Sequence, residues 1–163
     1  MVKLSIIIPA YNEEKTIEHT IQIYLKFFDS KLKNDYEIII IPNGCMDSTV
    51  NKVKKLSKQY KQVQYYDLGS PGEKGKAVIR GFELASGDLI GFVDADLSTS
   101  PAAYYELVKN IKKNDGIIAS RWKKGARITV RQPLFRRFLG RGFNFLVKLI
   151  LGIRFTDTQC GAK

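Results

Sequence analysis

Two aspartates, Asp94 and Asp96, stand one residue apart at the end of the apolar run Leu89-Ile90-Gly91-Phe92-Val93. Carboxylates that close repel one another unless a cation or another partner lies between them. Hard oxygen ligands suit Mg2+ or Mn2+, and Mg2+ takes one or two carboxylates while substrate phosphates complete its shell. The competing account is that Asp94 ends a strand and a nearby Asp or Ser caps the next helix. Three other segments carry polar groups in comparable places. Pro9-Ala10-Tyr11-Asn12-Glu13-Glu14 and Pro42-Asn43-Gly44-Cys45-Met46-Asp47 each follow an apolar run, and Lys74-Gly75-Lys76 opens a helical pattern. Asn12 as an N-cap, with Glu13 and Glu14 favourable to the helix dipole, is a sufficient account of the first; a turn and a cap would explain the second. Helix starts also offer free N–H groups to anions, so both accounts hold together. Two lysines at a helix start oppose the macrodipole, which points to a phosphate partner, with plain solvation as the alternative.

The elements that must position these residues follow from periodicity. Apolar runs predict strands over Leu4–Ile8, Glu37–Ile41, Val63–Leu68, Leu89–Val93 and Gly116–Ala119. The third alternates, as an edge strand does. Helical spacing predicts Glu13–Phe28, Ser48–Tyr60, Lys74–Ala85, Pro101–Lys112 and Pro133–Leu151. Strands separated by helices imply crossover units, hence an α/β fold with a mostly parallel sheet covered on both faces. Such sheets bind ligands beyond the carboxyl ends of their strands. The segments 9–14, 42–47 and 94–98 therefore share one rim.

The 163 residues suffice for one domain with its own core. The formal charge of +11 is regional. Between Gly116 and Thr156 there is no acid, while Arg121, Lys123, Lys124, Arg127, Arg131, Arg136, Arg137, Arg141, Lys148 and Arg154 supply ten of the 27 bases, leaving 17 against 16 acids elsewhere. Such a patch attracts nucleic acid, an anionic membrane or a phosphorylated substrate. Cys45 and Cys160 lie far apart without metal-ligand spacing, so a reducing compartment is expected. The N-terminus enters a strand pattern directly, with no signal-peptide features, and no run of 18 uncharged apolar residues occurs. In 133–151, Arg137, Arg141, Asn144 and Lys148 form one narrow polar stripe, and phenylalanines, leucines and isoleucine fill most of the remaining circumference. A basic helix of that kind can lie in a headgroup layer. The alternatives are burial against further C-terminal chain or a homodimer interface.

The order of motifs resembles a known family. "IIIPAYNEE", "IIIIPNGCMDST", "GEKGKAVIRGFELASGD" and "DADLSTSP" are similar to the inverting glycosyltransferase family 2 with its GT-A fold. "IASRW" and "DTQCGAK" resemble the branch that makes dolichyl-phosphate glucose or mannose and related polyprenyl-phosphate sugars. The resemblance implies that Pro9, Tyr11 and Glu13 line the nucleotide pocket, with Asn43 and Asp47 near base and ribose and Lys74 on the nucleotide sugar. It implies a Mg2+ or Mn2+ ion on Asp94 and Asp96 holding the diphosphate, Ser98 standing where some relatives supply a further ligand. Arg121 would face the acceptor phosphate, Arg137 or Arg141 would assist it or the leaving diphosphate, and Asp157 and Gln159 would adjoin the transferred sugar. Asp96, Arg121, Asp157 and Gln159 form the expected catalytic set. Relatives commonly carry an Asp pair where this chain has Pro42-Asn43, which touches the choice of base. They also continue beyond the point corresponding to Lys163, so either a truncation or a minimal enzyme is expected. Residues 1–120 would bind the nucleotide sugar, and 121–163 would face acceptor and membrane.

The expected reaction moves a hexose from a UDP- or GDP-linked donor to a polyprenyl phosphate at the cytosolic membrane face, the protein being peripheral there. A phosphate monoester is mostly doubly ionised at pH 7, its second pKa being about 6. It needs positioning by arginines more than deprotonation. The alternatives are a saccharide or surface-polymer acceptor, nucleic-acid binding through the basic third, or a nucleotide-binding chain without catalysis. Against nucleic acid stand the aliphatics interleaved with the bases and the lack of a recognised DNA- or RNA-binding motif.

Overall fold

The computed structural model describes residues 3–69, 72–123, 134–152 and 155–163, with backbone alone for 134–138. Residues 4–10 and 36–42 are isoleucine-rich runs buried along their whole length; they form β1 (Leu4–Ala10) and β2 (Tyr36–Pro42). Continuous β-branched apolar sequence is what a strand covered on both faces requires. The two pair in parallel, Ile6 opposite Ile38 and Ile8 opposite Ile40. β3 (Val63–Tyr65) joins β2 and β4 (Leu89–Phe92) joins β1, both in parallel, giving the order β3-β2-β1-β4. The alternating third strand lies at an edge, as its pattern requires. Beyond Tyr65 the N–H groups of Tyr66 and Leu68 still donate to Ile40 and Pro42, so the extended course expected to Leu68 is kept.

Strand side chains alternate between two cores. On one face Ile6, Ile8, Ile38 and Ile40 meet α1 (Ile17–Leu32), α2 (Thr49–Gln59) and α4 (Pro101–Asn110). Rings consolidate that side, with Phe28 centred 5.7 Å from Tyr36 and 6.0 Å from Tyr24. On the other face Ile7, Ile39 and Ile41 meet α3 (Lys74–Leu84) through Ala77. α3 approaches closely because Gly81 lies over Ile7, where a Cβ would overlap the isoleucine. At the amino ends of the strands, buried Glu37 accepts hydrogen bonds from Ser5 Oγ (2.6 Å), Ser86 N (2.8 Å), Ser86 Oγ (2.9 Å) and Gln64 Nε2 (3.0 Å). A buried carboxylate so fully satisfied ties four segments together far from the opposite rim.

Two expectations are corrected. α1 starts at Ile17, not Glu13, and Asn12 is no N-cap: its φ is +53° and Thr16 occupies the cap position. Asn12 Oδ1 instead accepts the Met46 N–H at 2.8 Å. Residues 116–119 form no strand. The outer edge of β4 is taken by the end of the chain, where Phe92 N donates to Lys163 O (2.9 Å) and Lys163 N to Phe92 O (3.2 Å). Val93 and Ala162 form an antiparallel bridge, and the Ala119 N–H reaches only as far as Ala162 O. The fifth helix, α5 (Leu134–Leu151), is present as expected.

Candidate nucleotide-sugar site

The loops after β1 and β2 are bound to one another. Glu13 N donates to Thr49 Oγ1 (2.8 Å), Glu14 N to Asp47 Oδ2 (3.0 Å), and Ser48 N to Glu14 Oε2 (3.0 Å). Asp47 Oδ1 also accepts from Thr49 N at 3.0 Å. Partial burial alone would raise the Asp47 pKa, but the Thr49 and Glu14 hydrogen bonds outweigh it and hold the carboxyl below its ordinary value. Asp47 thus braces two loops. The polar sequence around it, readable as turn and cap, is in fact a joint between elements.

Pro9, Tyr11, Glu13, Asn43, Lys74, Asp94 and Asp96 line one cleft of about 360 Å³ at the carboxyl ends of the strands. Seven of the eight residues expected at the donor site therefore converge; Asp47 stands behind the wall. Gly72 and Ala95 complete the lining and were not anticipated. A Cβ on Gly72 would sit 2.9 Å from the Tyr11 ring and 3.4 Å from Asn43 Oδ1, so the bare backbone sets the width there. Asn43 is buried, and its Nδ2 donates inward to Ala10 O (2.9 Å) and Ile41 O (3.3 Å). What it leaves for the cleft is Oδ1, an acceptor. In hydrogen-bonding sense the amide repeats what a carboxylate would offer there.

The acidic loop is held from α1. Thr20 Oγ1 donates to Ala95 O and Tyr24 Oη to Thr99 O, each at 2.8 Å. Asp96 Oδ1 accepts the Ser98 N–H at 2.9 Å, closing a turn through Leu97 at φ +59°. Ser98 therefore contributes its backbone to Asp96. Ser100 caps α4, accepting from Ala103 N, with Pro101 in the first turn. Asp94 Oδ1 accepts from Lys74 Nζ, and Lys76 pairs with Glu73 at 2.9 Å. Both lysines that oppose the α3 dipole thus have a carboxylate of their own.

The donor set fits a divalent ion. Two carboxylates at a strand end face a cleft, and a cationic ammonium already stands at one of them. Among the described residues no third His, Cys, Asp or Glu joins them. That leaves positions for phosphate oxygens and water, as Mg2+ and Mn2+ sites with nucleotides require.

Beyond this cleft, Asp157 is buried and accepts from Arg121 Nε (2.7 Å), Arg121 Nη2 (2.9 Å) and Arg121 N (3.1 Å). Burial would raise the Asp157 pKa, but the guanidinium and N–H bonds prevail and hold it low; the hydrogen bond to Asp157 in turn raises Arg121. Arg141 lies 5.0 Å from the Trp122 ring centre and Arg121 6.0 Å. The side chain of Arg137 lies outside the described residues. Gln159 is exposed, its Oε1 3.1 Å from where a Gly140 Cβ would be. Asn144 of α5 is buried and accepts from Thr158 N (2.9 Å) and Thr158 Oγ1. Of the polar stripe of α5, Asn144 is thus buried while Arg141 and Lys148 are exposed, as are Leu139, Phe143, Phe145, Leu146, Leu149 and Ile150.

A parallel sheet with an acidic pair and a cleft at its carboxyl rim is the GT-A glycosyltransferase arrangement, and solved structures share the fold. Glucosyl-3-phosphoglycerate synthase from Mycobacterium tuberculosis in complex with UDP superposes with a TM-score of 0.66 over 99% of this chain and 55% of that one, at 22% identity. The same enzyme with Mn2+, UDP and phosphoglyceric acid gives 0.54 over 71% and 41%, at 26% identity. Residues 5–162 match the profile of glycosyl transferase family 2, and the chain belongs to that family. It is 34% identical to glycosyltransferase AglD of Haloferax volcanii over 99% of this chain and 26% of that protein. It is also 34% identical to the dolichyl-phosphate beta-glucosyltransferase of Drosophila melanogaster over 99% and 54%. The chain thus spans between a quarter and about half of these relatives.

Proposed function

We propose that this chain supplies the donor site and part of the acceptor site of an inverting, metal-dependent hexosyltransferase. It would take the sugar from a UDP- or GDP-linked donor to a polyprenyl phosphate. The observation that carries the reading is the convergence of Asp94, Asp96 and Lys74 with Tyr11 and Asn43 in one cleft. Kinship with a dolichyl-phosphate beta-glucosyltransferase supports the acceptor class, and the Mn2+ and UDP complex of a structural neighbour supports the metal.

Breaking the sugar–phosphate bond builds negative charge on the leaving diphosphate. Asp94 and Asp96 would hold a divalent ion there, which supplies Lewis-acid stabilisation of that charge. Lys74, already at Asp94, adds a positive charge to the same end of the cleft. Asn43 Oδ1 would accept from a ring N–H of the base, which uracil and guanine both carry. On the acceptor side, an ionised Asp157 bound by three donors of Arg121 is a weak base, which suits a phosphate nucleophile that needs none. Two of the five guanidinium N–H groups of Arg121 serve Asp157, leaving others for an anion.

The outward apolar face of α5, within the acid-free basic segment, fits the headgroup layer of an anionic membrane. Among the described residues no helix is long and apolar enough to cross one. A peripheral position on the cytosolic face, beside nucleotide sugars, completes the reading. The test is to incubate full-length protein with uridine and guanosine sugar donors, Mn2+ and a polyprenyl phosphate in detergent. Lipid-linked sugar of inverted anomeric configuration is expected. Neither product nor metal-dependent nucleotide binding with any donor would overturn the reading.

A further inference from the structure

The last residues of the chain pass directly behind the acidic pair. A Cβ built on Gly161 would fall on the Asp94 carboxylate, overlapping Oδ2 and Cγ and lying 3.0 Å from Oδ1. Gly161 has no left-handed φ, so no backbone conformation demands glycine there. Closeness does. The approach is fixed by the two residues that follow Gly161, through the hydrogen-bonded pair of Phe92 with Lys163 and the bridge of Val93 with Ala162. Gly91 makes the matching concession in β4, where a Cβ would overlap the Lys163 carbonyl.

We propose that Gly161 is a positioning residue for the cation site. Its bare Cα is the surface on which one oxygen of Asp94 rests, turning the other toward the Lys74 ammonium and the cleft. Any side chain at 161 would displace the carboxylate, because the adjoining residues Ala162 and Lys163 are tied to the sheet edge and hold the backbone close. The inference deepens the reading of Asp94 as a metal ligand and rests on it. It also joins the two halves of the site. The segment that seats Asp94 at Gly161 begins at Asp157, which clamps Arg121, and passes Thr158, which holds α5 through Asn144. Lys163 Nζ closes the segment on itself by donating to Thr158 O at 3.0 Å.

The test uses the full-length protein and two measurements. Thermal unfolding in EDTA is compared for wild type, Gly161→Ala, Asp94→Ala and the double variant. Gly161→Ala is expected to lower Tm by several degrees in the wild-type background and by almost nothing when Asp94 is already Ala, since the obstructed carboxylate is then gone. Equal losses in both backgrounds overturn the proposal. If Gly161→Ala alone does not fold, recovery in the double variant supports the contact, and failure of both overturns it. Mn2+ binding with UDP and with GDP is then followed by the paramagnetic signal of free Mn2+. At least tenfold weaker binding by folded Gly161→Ala is expected, and unchanged affinity overturns the positioning role. Should wild type itself bind no Mn2+ with either nucleotide, the metal reading falls, while the thermal cycle still decides the contact.

Discussion

Asp157→Asn separates two roles that a carboxylate beside an acceptor site can have. In the native arrangement Asp157 takes two guanidinium bonds, at 2.7 and 2.9 Å, and the Arg121 N–H at 3.1 Å. Asparagine keeps one oxygen but turns an NH2 group toward a guanidinium donor, so one charge-assisted bond is lost. Such a bond is worth about 1.5–3 kcal/mol net. The Arg121 side chain is 27% exposed and partly rehydrates, so the expected cost is about 1–2 kcal/mol. For a domain of this size that corresponds to a Tm lower by about 2–8 °C. The sign with pH follows from the depressed Asp157 pKa. Stability from the ionised group is fully present above its unfolded value of 3.8 and is lost as pH falls through the lower folded value. The gap between wild type and variant in urea unfolding should therefore be full at pH 7 and narrow below pH 4. Turnover should fall less than about tenfold with an unchanged pH profile, because losing a general base costs about 10²–10⁴. A loss beyond a hundredfold at unchanged Tm, with the acid limb of the rate profile removed, would refute the reasoning and make Asp157 the base.

Asp94→Asn and Asp96→Asn should each abolish Mn2+-dependent nucleotide binding by calorimetry; retained binding in both would sink the metal assignment. Lys74→Met frees Asp94 of its ammonium, so Mn2+ alone should bind more tightly while the nucleoside diphosphate with Mn2+ binds about tenfold more weakly, a divergence that a purely structural lysine would not produce. Leu146→Glu with Leu149→Glu should strip the protein from anionic phospholipid vesicles in flotation, each buried leucine being worth about 1.5–3 kcal/mol. Undiminished flotation would place some other surface at the membrane.

The order of strands and helices was legible because β1 and β2 are apolar without interruption and the helices carry clear faces. The shared rim followed from that order, and so did the convergence of Pro9, Asn43 and Asp94. Contacts between residues far apart in the chain were not legible. Nothing in the spacing pairs Arg121 with Asp157, 36 residues on, or sets Gly161 against Asp94. The strand expected at 116–119 failed for a similar reason: its apolar pattern is genuine, but the C-terminal residues occupy the edge that would have paired with it. The start of α1 was misread because Asn12, a good cap by type, adopts a left-handed conformation and serves the neighbouring loop instead. For α5 the periodicity was right, and what it did not disclose is that Asn144, one member of the polar stripe, is buried and bonded to Thr158, a contact between separate segments.

The inward tether of Asn43 has a consequence for cellular selectivity. With its amide hydrogens spent on Ala10 and Ile41, the side chain cannot flip to suit whichever base arrives. If the base sits there, as proposed, a fixed lone pair would accept the ring N–H of uracil or guanine and would meet another lone pair at the equivalent edge of cytosine or adenine. Rejection then comes from an unpaired acceptor as well as from a missing attraction. On the proposed reading, such a bias would let the cleft work in the presence of abundant ATP, and a neutral side chain would add no repulsion toward a donor's diphosphate.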